Sequence, residues 1–196
     1  MLYLLIPLAA YLIGSFSTAV LVCRLMGLPD PRAEGSRNPG ATNVLRLGSK
    51  TGAALALAGD VAKGVIPVVV ARGLVDDSAL PALAALGAFL GHLLPIFFRF
   101  EGGKGVATAF GVLTAIDWQL GALLAGTWLA AALVFRYSSL AALITAAATP
   151  LYAWWLSGEW IYVGLGGILA VLLFLRHRQN ISRLFAGTEP KIGKKS

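Results

Sequence analysis

Arg99-Phe-Glu-Gly-Gly-Lys-Gly-Val-Ala-Thr108 is a glycine-rich polar turn set between two strongly apolar runs. Gly102, Gly103 and Gly105 flank Lys104; they permit positive φ angles and let main-chain N–H groups approach a ligand with no side chain in the way. A helix starting near Gly105 points the positive end of its dipole at the same place. The stretch reads either as an anion site or as a plain hairpin between two membrane helices. It is not a Walker A loop: Gly105 follows Lys104 where Ser or Thr is required, and Phe98 stands where the first glycine belongs.

The surrounding runs decide the fold class. Of 196 residues, 58% are hydrophobic and 13% charged, and the mean hydropathy is +0.78, which predicts an all-α integral membrane protein. The run from Leu2 to Val22 is long enough to cross a hydrocarbon layer of ~30 Å at ~1.5 Å per residue. It lacks a preceding basic residue and is followed by Arg24, so it reads as a span rather than a cleaved signal peptide. Further spans are predicted at 51–71, 79–98, 106–116, 118–135, 138–156 and 160–175, about seven transmembrane helices in all. The fourth is the shortest, at ~16 Å. No long polar linker or internal repeat divides the apolar runs, so residues 1–196 are expected to form a single polytopic membrane domain.

Charge orients it. Of the 16 Lys and Arg residues, 14 fall in Arg24–Lys50, Arg99–Lys104, Arg136 and the tail from Arg176, with Arg72 and Lys63 elsewhere. The positive-inside rule then predicts an outside N-terminus and a cytosolic C-terminus. The motif segments 27–50, 99–108, 136–139 and 176–196 accordingly face the cytosol. The net charge of +7 is spread over short loops, which speaks against a nucleic-acid partner. With one cysteine, Cys23, and two histidines without a carboxylate cluster, no disulfide, metal or other cofactor is expected.

The polar segments are rich for connectors. Residues 28–46 carry Ser36, Asn38, Thr42, Asn43 and Arg46; Thr42 or Asn43 is placed to cap a short helix through Arg46, and hydroxyls and amides suit phosphate or carbonyl recognition. Asp60 and Lys63 share one helical face within a span, as a functional pair or as a clasp between helices. His92 reads as a hydrogen-bonding core residue. His177 and Asn180 lie three apart in the tail and face one way on a helix. Ser139 either caps the helix after Arg136 or joins the same pocket. Cationic and amide groups on the cytosolic face, above apolar helices, suit an enzyme acting on a substrate that is anionic at one end and greasy at the other. A transporter of an organic phosphate, with Asp60 and Lys63 as its midplane site, is the alternative.

The ordered set Gly14-Ser15, Gly35-Ser36-Arg-Asn38-Pro-Gly40-Ala-Thr42-Asn43, Asp60-Val-Ala-Lys63-Gly64, Gly102-Gly-Lys-Gly-Val-Ala-Thr108, Ser139-Leu140 and His177 to Asn180 resembles the PlsY-type acyl-phosphate glycerol-3-phosphate acyltransferases. Arg37, Glu101 and Ser17 depart from the family, which often has glycine, Lys or Asn, and proline there. The resemblance implies transfer of a fatty acyl chain from acyl phosphate to the 1-hydroxyl of glycerol 3-phosphate, giving lysophosphatidic acid and phosphate as the first step of phospholipid synthesis. It also implies a functional link to an enzyme that forms acyl phosphate. Gly102, Gly103, Lys104 and Gly105 carry over as a phosphate-binding loop, with Ser36, Asn38, Thr42, Arg46, Lys63 and Ser139 completing substrate recognition. Asn43 and Asn180 are expected to stabilise the developing oxyanion. His177, with a reference pKa of ~6.5, is the expected proton acceptor, unless a substrate phosphate oxygen takes that part. His92 is followed five residues on by Phe97 and His177 by Ser182, so the His-plus-Asp machinery of acyl-CoA or acyl carrier protein acyltransferases is absent.

Overall fold

The computed structural model describes residues 1–193, and among these all regular structure is helical. The chain divides into two compact units, Met1–Ile116 and a second from Asp117 onward. The first unit contains α1 (Leu2–Gly14), α2 (Thr18–Leu25), α3 (Ala41–Arg46), α4 (Lys50–Leu74), α5 (Ala79–Leu93), a 3-10 turn (Ile96–Phe98) and α6 (Val106–Ile116). The second contains α7 (Trp118–Phe135), α8 (Ser138–Ser157), α9 (Trp160–Arg176) and α10 (Arg178–Phe185).

By length and composition five helical stretches among the described residues can cross a membrane: Leu2–Leu25, Lys50–Leu74, Ala79–Phe98, Trp118–Phe135 and Ser138–Ser157. Trp160–Arg176 with Arg178–Phe185 makes a sixth if the pair, bent by 62°, is taken as one span. The fourth expected crossing, α6, has only 11 residues. The first run is not one helix. It breaks at Ser15–Ser17, where Ser17 turns extended (φ −81°, ψ 91°) before α2 begins, and the break leaves the Phe16 carbonyl open to accept a side-chain donor.

Within the first unit, α1 packs on α5 and α4 on α6. In lipid no hydrophobic force drives helices together, so association rests on close van der Waals fit, and that fit is built from glycine. A methyl group on Gly91 would stand 2.1 Å from the Tyr11 carbonyl, one on Gly14 2.1 Å from the Ala88 carbonyl, and one on Gly111 2.4 Å from the Val61 carbonyl. These are main-chain atoms of the facing helix and have nowhere to move. Outward faces are apolar: Leu4 of α1 is 72% exposed and Leu133 of α7 79%. In the second unit α7 packs on α8 and α8 on α9. Asp117 caps α7 by accepting from the Gln119 N–H at 2.7 Å.

Gly91→Ala is therefore expected to force α1 from α5 and to abolish a monodisperse, cooperatively melting protein in detergent. Gly167→Ala, on α9 with nothing within 4 Å of the added methyl, should leave stability within about 0.5 kcal/mol. Size-exclusion profiles and thermal melts of the two variants check both outcomes.

Candidate active site

The loop between α2 and α3 is folded around one amide. Asn43 Nδ2 donates to the carbonyls of Pro31 (2.8 Å) and Glu34 (3.0 Å), and its Oδ1 accepts from the Ser36 N–H at 2.8 Å. Gly35, at φ +62°, presses so close that a methyl there would sit 2.3 Å from that oxygen. Asn43 was expected to donate to an oxyanion; with both amide hydrogens spent on its own loop, its place here is that of the loop's fastener. Nor does Thr42 or Asn43 cap α3, since the helix begins at Ala41 with Gly40 before it. Ser36, Thr42 and Arg46 are exposed and Asn38 half-buried, so this loop presents them outward. Arg37 takes φ +55°, which explains why glycine suits the position.

Arg32 joins this loop to the glycine turn. It is paired with Asp30 at 2.7 Å, lies 3.7 Å from Glu101, and stacks over Phe98 with its guanidinium 5.8 Å from the ring centre. Hydrogen bonding to Arg32 holds the Asp30 carboxyl below the usual carboxylate range. A groove of about 540 Å³ opens beside this cluster, lined by Asp30, Arg32, Phe97, Phe98, Arg99 and Glu101. Its two arginines are matched by two carboxylates, so it has no surplus positive charge to hold a phosphate.

The glycine turn itself lies deeper. Gly102, Gly103 and Gly105 are buried and Lys104 is half-buried. Left-handed backbone occurs at Arg99 (φ 55°), Phe100 (φ 63°) and Gly105 (φ 86°), so only one of the three glycines is needed for its φ. The other two serve close approach. A methyl on Gly102 would lie 2.2 and 2.3 Å from the carbonyls of His92 and Leu93, and one on Gly103 2.3 Å from His92 Nε2 and 3.1 Å from the Pro39 carbonyl. The Gly103 N–H donates to the His92 carbonyl at 3.3 Å. The turn thus runs between the end of α5 and the first loop, and α6 starts at Val106, as the dipole argument expects.

Below it sits a buried polar cluster. Lys63 Nζ is 2.8 Å from Asp60 Oδ1 and donates to the Phe16 carbonyl at 2.8 Å. Thr18 Oγ1 donates to the same Asp60 oxygen at 2.6 Å, and His92 Nδ1 stands 3.5 Å from it. Asp60, Lys63 and His92 are 3%, 6% and 6% exposed. Lys63 was expected among the phosphate ligands. Its ammonium is instead enclosed between a carboxylate and a helix-break carbonyl, which corrects that assignment and leaves the pair closed to the cargo a transporter would bring.

In the second unit Glu189 is the hub. Ser139 Oγ (2.6 Å) and Asn180 Nδ2 (2.7 Å) donate to its Oε1, and Arg183 Nε donates to Oε2 at 2.7 Å. Burial alone would raise this carboxyl, but the bonds from Ser139, Asn180 and Arg183 outweigh it and hold its pKa below the ordinary value. Ser139 therefore anchors the tail rather than capping α8, whose N-cap residue Tyr137 makes no side-chain cap. The Glu189 role was not legible in the sequence, although a lone acid before Pro190 in a basic tail was the available signal. His177 forms the bend between α9 and α10. Its Nδ1 lies 2.8 Å from the Leu173 carbonyl; a carbonyl only accepts, so Nδ1 carries the hydrogen and the lone pair of the neutral ring is on Nε2. Asn180 uses one amide hydrogen on Glu189, and its Oδ1 is buried without a hydrogen-bond partner among the described residues.

The family described as Glycerol-3-phosphate acyltransferase matches residues 4–187. Proteins named glycerol-3-phosphate acyltransferase from Thioalkalivibrio sulfidiphilus and Thiobacillus denitrificans are similar over almost the whole length. The first is 55% identical, covering 96% of this chain and 93% of that protein, and the second is 54% identical, covering 100% of both. Two crystal structures of PlsY, an integral membrane glycerol 3-phosphate acyltransferase, superpose closely. The glycerol 3-phosphate form has a TM-score of 0.92 at 36% identity, covering 97% of this chain and 96% of that one. The lysophosphatidic acid form has a TM-score of 0.90 at 35% identity, covering 97% and 95%.

Because the native pKa of Glu189 lies below its ordinary value of 4.5, its contribution to stability is complete above about pH 4.5. It is lost as the pH falls through the lower native value. Glu189→Gln is expected to lower stability at neutral pH by about 2 kcal/mol and to flatten the dependence between pH 7 and 3. Thermal melts of both proteins across that range check it.

Proposed function

The chain belongs to the glycerol-3-phosphate acyltransferase family, and we propose that its donor is a long-chain acyl phosphate. In this reading the 1-hydroxyl oxygen of sn-glycerol 3-phosphate attacks the acyl carbonyl. The carbonyl carbon then expels phosphate, and 1-acylglycerol 3-phosphate and inorganic phosphate leave. The observation that carries direct transfer, with no acyl-enzyme, is the state of the chain's only thiol. Cys23 is 1% exposed in an apolar cluster with Ala19, Val44, Ala53 and Ala56, packed away from any incoming acyl group. A donor that already bears a good leaving group needs no protein nucleophile.

The turn 102–105 holds a substrate phosphate through Lys104, at the N-terminus of α6. Ser36, Asn38, Thr42 and Arg46 complete recognition from the first loop. Asn180 has one amide hydrogen left for the oxyanion, a contribution of about 3 kcal/mol in other acyl-transfer sites. The hydroxyl proton passes to His177 Nε2. Ser139 acts through Glu189, which fixes the Asn180 amide.

We also place the protein in the bacterial cytoplasmic membrane with about seven crossings, the N-terminus outside and the C-terminus cytosolic. The support is charge: Asp76, Asp77, Asp117 and Glu159 sit in the turns opposite to those that carry nearly all Lys and Arg. Its substrate would come from an enzyme that forms acyl phosphate.

Purified protein is expected to make lysophosphatidate from radiolabelled glycerol 3-phosphate with palmitoyl phosphate and to make none with palmitoyl-CoA. Product from palmitoyl-CoA alone overturns the donor assignment.

His177→Gln should lower kcat at least 100-fold at saturating substrates. If KM alone rises, His177 binds and a substrate phosphate oxygen is the base.

A further inference from the structure

Asp60 has no part in the roles above, yet it is an ionisable group buried within a membrane helix. A buried ion pair is weak support for stability, because apolar side chains of similar volume generally do as well. What distinguishes this one is where its bonds lead. The Asp60 side chain is set by Lys63 and Thr18 and faces His92 Nδ1 at 3.5 Å. Its main-chain carbonyl accepts from Thr108 Oγ1 at 3.0 Å. His92 lies in the last turn of α5, just before the glycine turn, and Thr108 in the first turn of α6, just after it. One residue of α4 therefore reaches both sides of segment 93–107.

The His92 ring is also the turn's floor. Gly103 lies against Nε2, and Gly102 against the His92 and Leu93 carbonyls, at distances that leave no room for one methyl group. The place of the turn follows from that of His92. Gly64, one turn beyond Asp60 on α4, closes the same contact: a methyl on it would stand 2.7 Å from the Thr108 carbonyl.

We propose that Asp60 is a positioning residue for the phosphate loop. Through His92 it sets the floor beneath Gly102 and Gly103, and through Thr108 it sets the depth of the α6 N-terminus. It thereby fixes the direction in which Lys104 meets phosphate. The inference rests on the reading of residues 102–105 as a phosphate-binding loop, and its test separates the two.

Steady-state kinetics on the full-length protein would vary glycerol 3-phosphate and palmitoyl phosphate in turn, for wild type, Lys104→Ala, Asp60→Asn and the double variant. Lys104→Ala identifies the substrate whose phosphate the loop holds, since its KM should rise while the other KM does not; if neither rises, the loop reading fails. Asp60→Asn keeps the shape and removes the charge. It should raise that same KM about tenfold, leave the other within about twofold, and add nothing further in the Lys104→Ala background. A merely structural role would move both KM values together or add its effect to that of Lys104→Ala. Either result, or an unchanged KM in Asp60→Asn beside a raised one in Lys104→Ala, overturns the proposal. Should Asp60→Asn not fold, Thr108→Val removes only the hydroxyl bond to the Asp60 carbonyl and is held to the same pattern.

Discussion

A carboxylate in the interior of a membrane helix persists only where its charge is answered on the spot, and the first unit is arranged to answer the charge of Asp60. Lys63, one turn along α4, supplies the countercharge. That ammonium in turn needs an acceptor, and the Phe16 carbonyl is available because α1 stops before α2 starts. Thr18, at the start of α2, supplies another donor. The break in the first apolar run and the charged pair in α4 are thus one feature seen from two helices: close the break, and the Lys63 ammonium loses its second partner.

The second unit solves a similar problem for a carboxylate that is equally buried. Glu189 lies on a tail segment after α10, and three donors from α8 and α10 hold it. Its function is mechanical as much as electrostatic, because the same bond that satisfies the carboxylate fixes which way the Asn180 amide is turned. His177 is oriented differently, by a main-chain carbonyl one turn back in α9. The bend of 62° that begins at this residue sends α10 out of line with α9. An amide and an imidazole three residues apart are therefore held by two separate devices.

The helical class, most span limits and the place of the glycine turn were legible because each depends on local pattern: runs of apolar residues, glycine density, charge at the ends. Ser138–Ser157 and Trp118–Phe135 fall within a residue of their expected bounds. What escaped was decided by partners far away in the chain. Asn43 has the composition of a ligand, but its bonds to Pro31 and Glu34 depend on how the loop folds back. Lys63 has the charge of a phosphate ligand, and only the neighbouring helix break reveals that its charge is spent inside. Ser139 opens a helix, as a capping residue does, yet its hydroxyl goes to an acid fifty residues later. The break at Ser15–Ser17 was hidden because serine interrupts an apolar run too weakly to read as an end.

The same reasoning explains why so much of the sequence signal is glycine and so little is nucleophile. With an activated donor, as proposed, the barrier would fall chiefly through holding the two substrates in register and through charge stabilisation, both of which are matters of placement. Placement in a membrane is obtained by bringing main chain close to main chain, and glycine permits that approach. Gly102 and Gly103 lie against the end of α5, and Gly64 and Gly111 bring α4 and α6 together, so the loop inherits the rigidity of the helix pair beneath it. A methyl group added at any of these four positions meets a carbonyl or imidazole atom at 2.2 to 2.7 Å. The space that substrate phosphate would use is bounded on its inner side by packing that tolerates no side chain. The accuracy of the site is in that sense a property of the helix contacts.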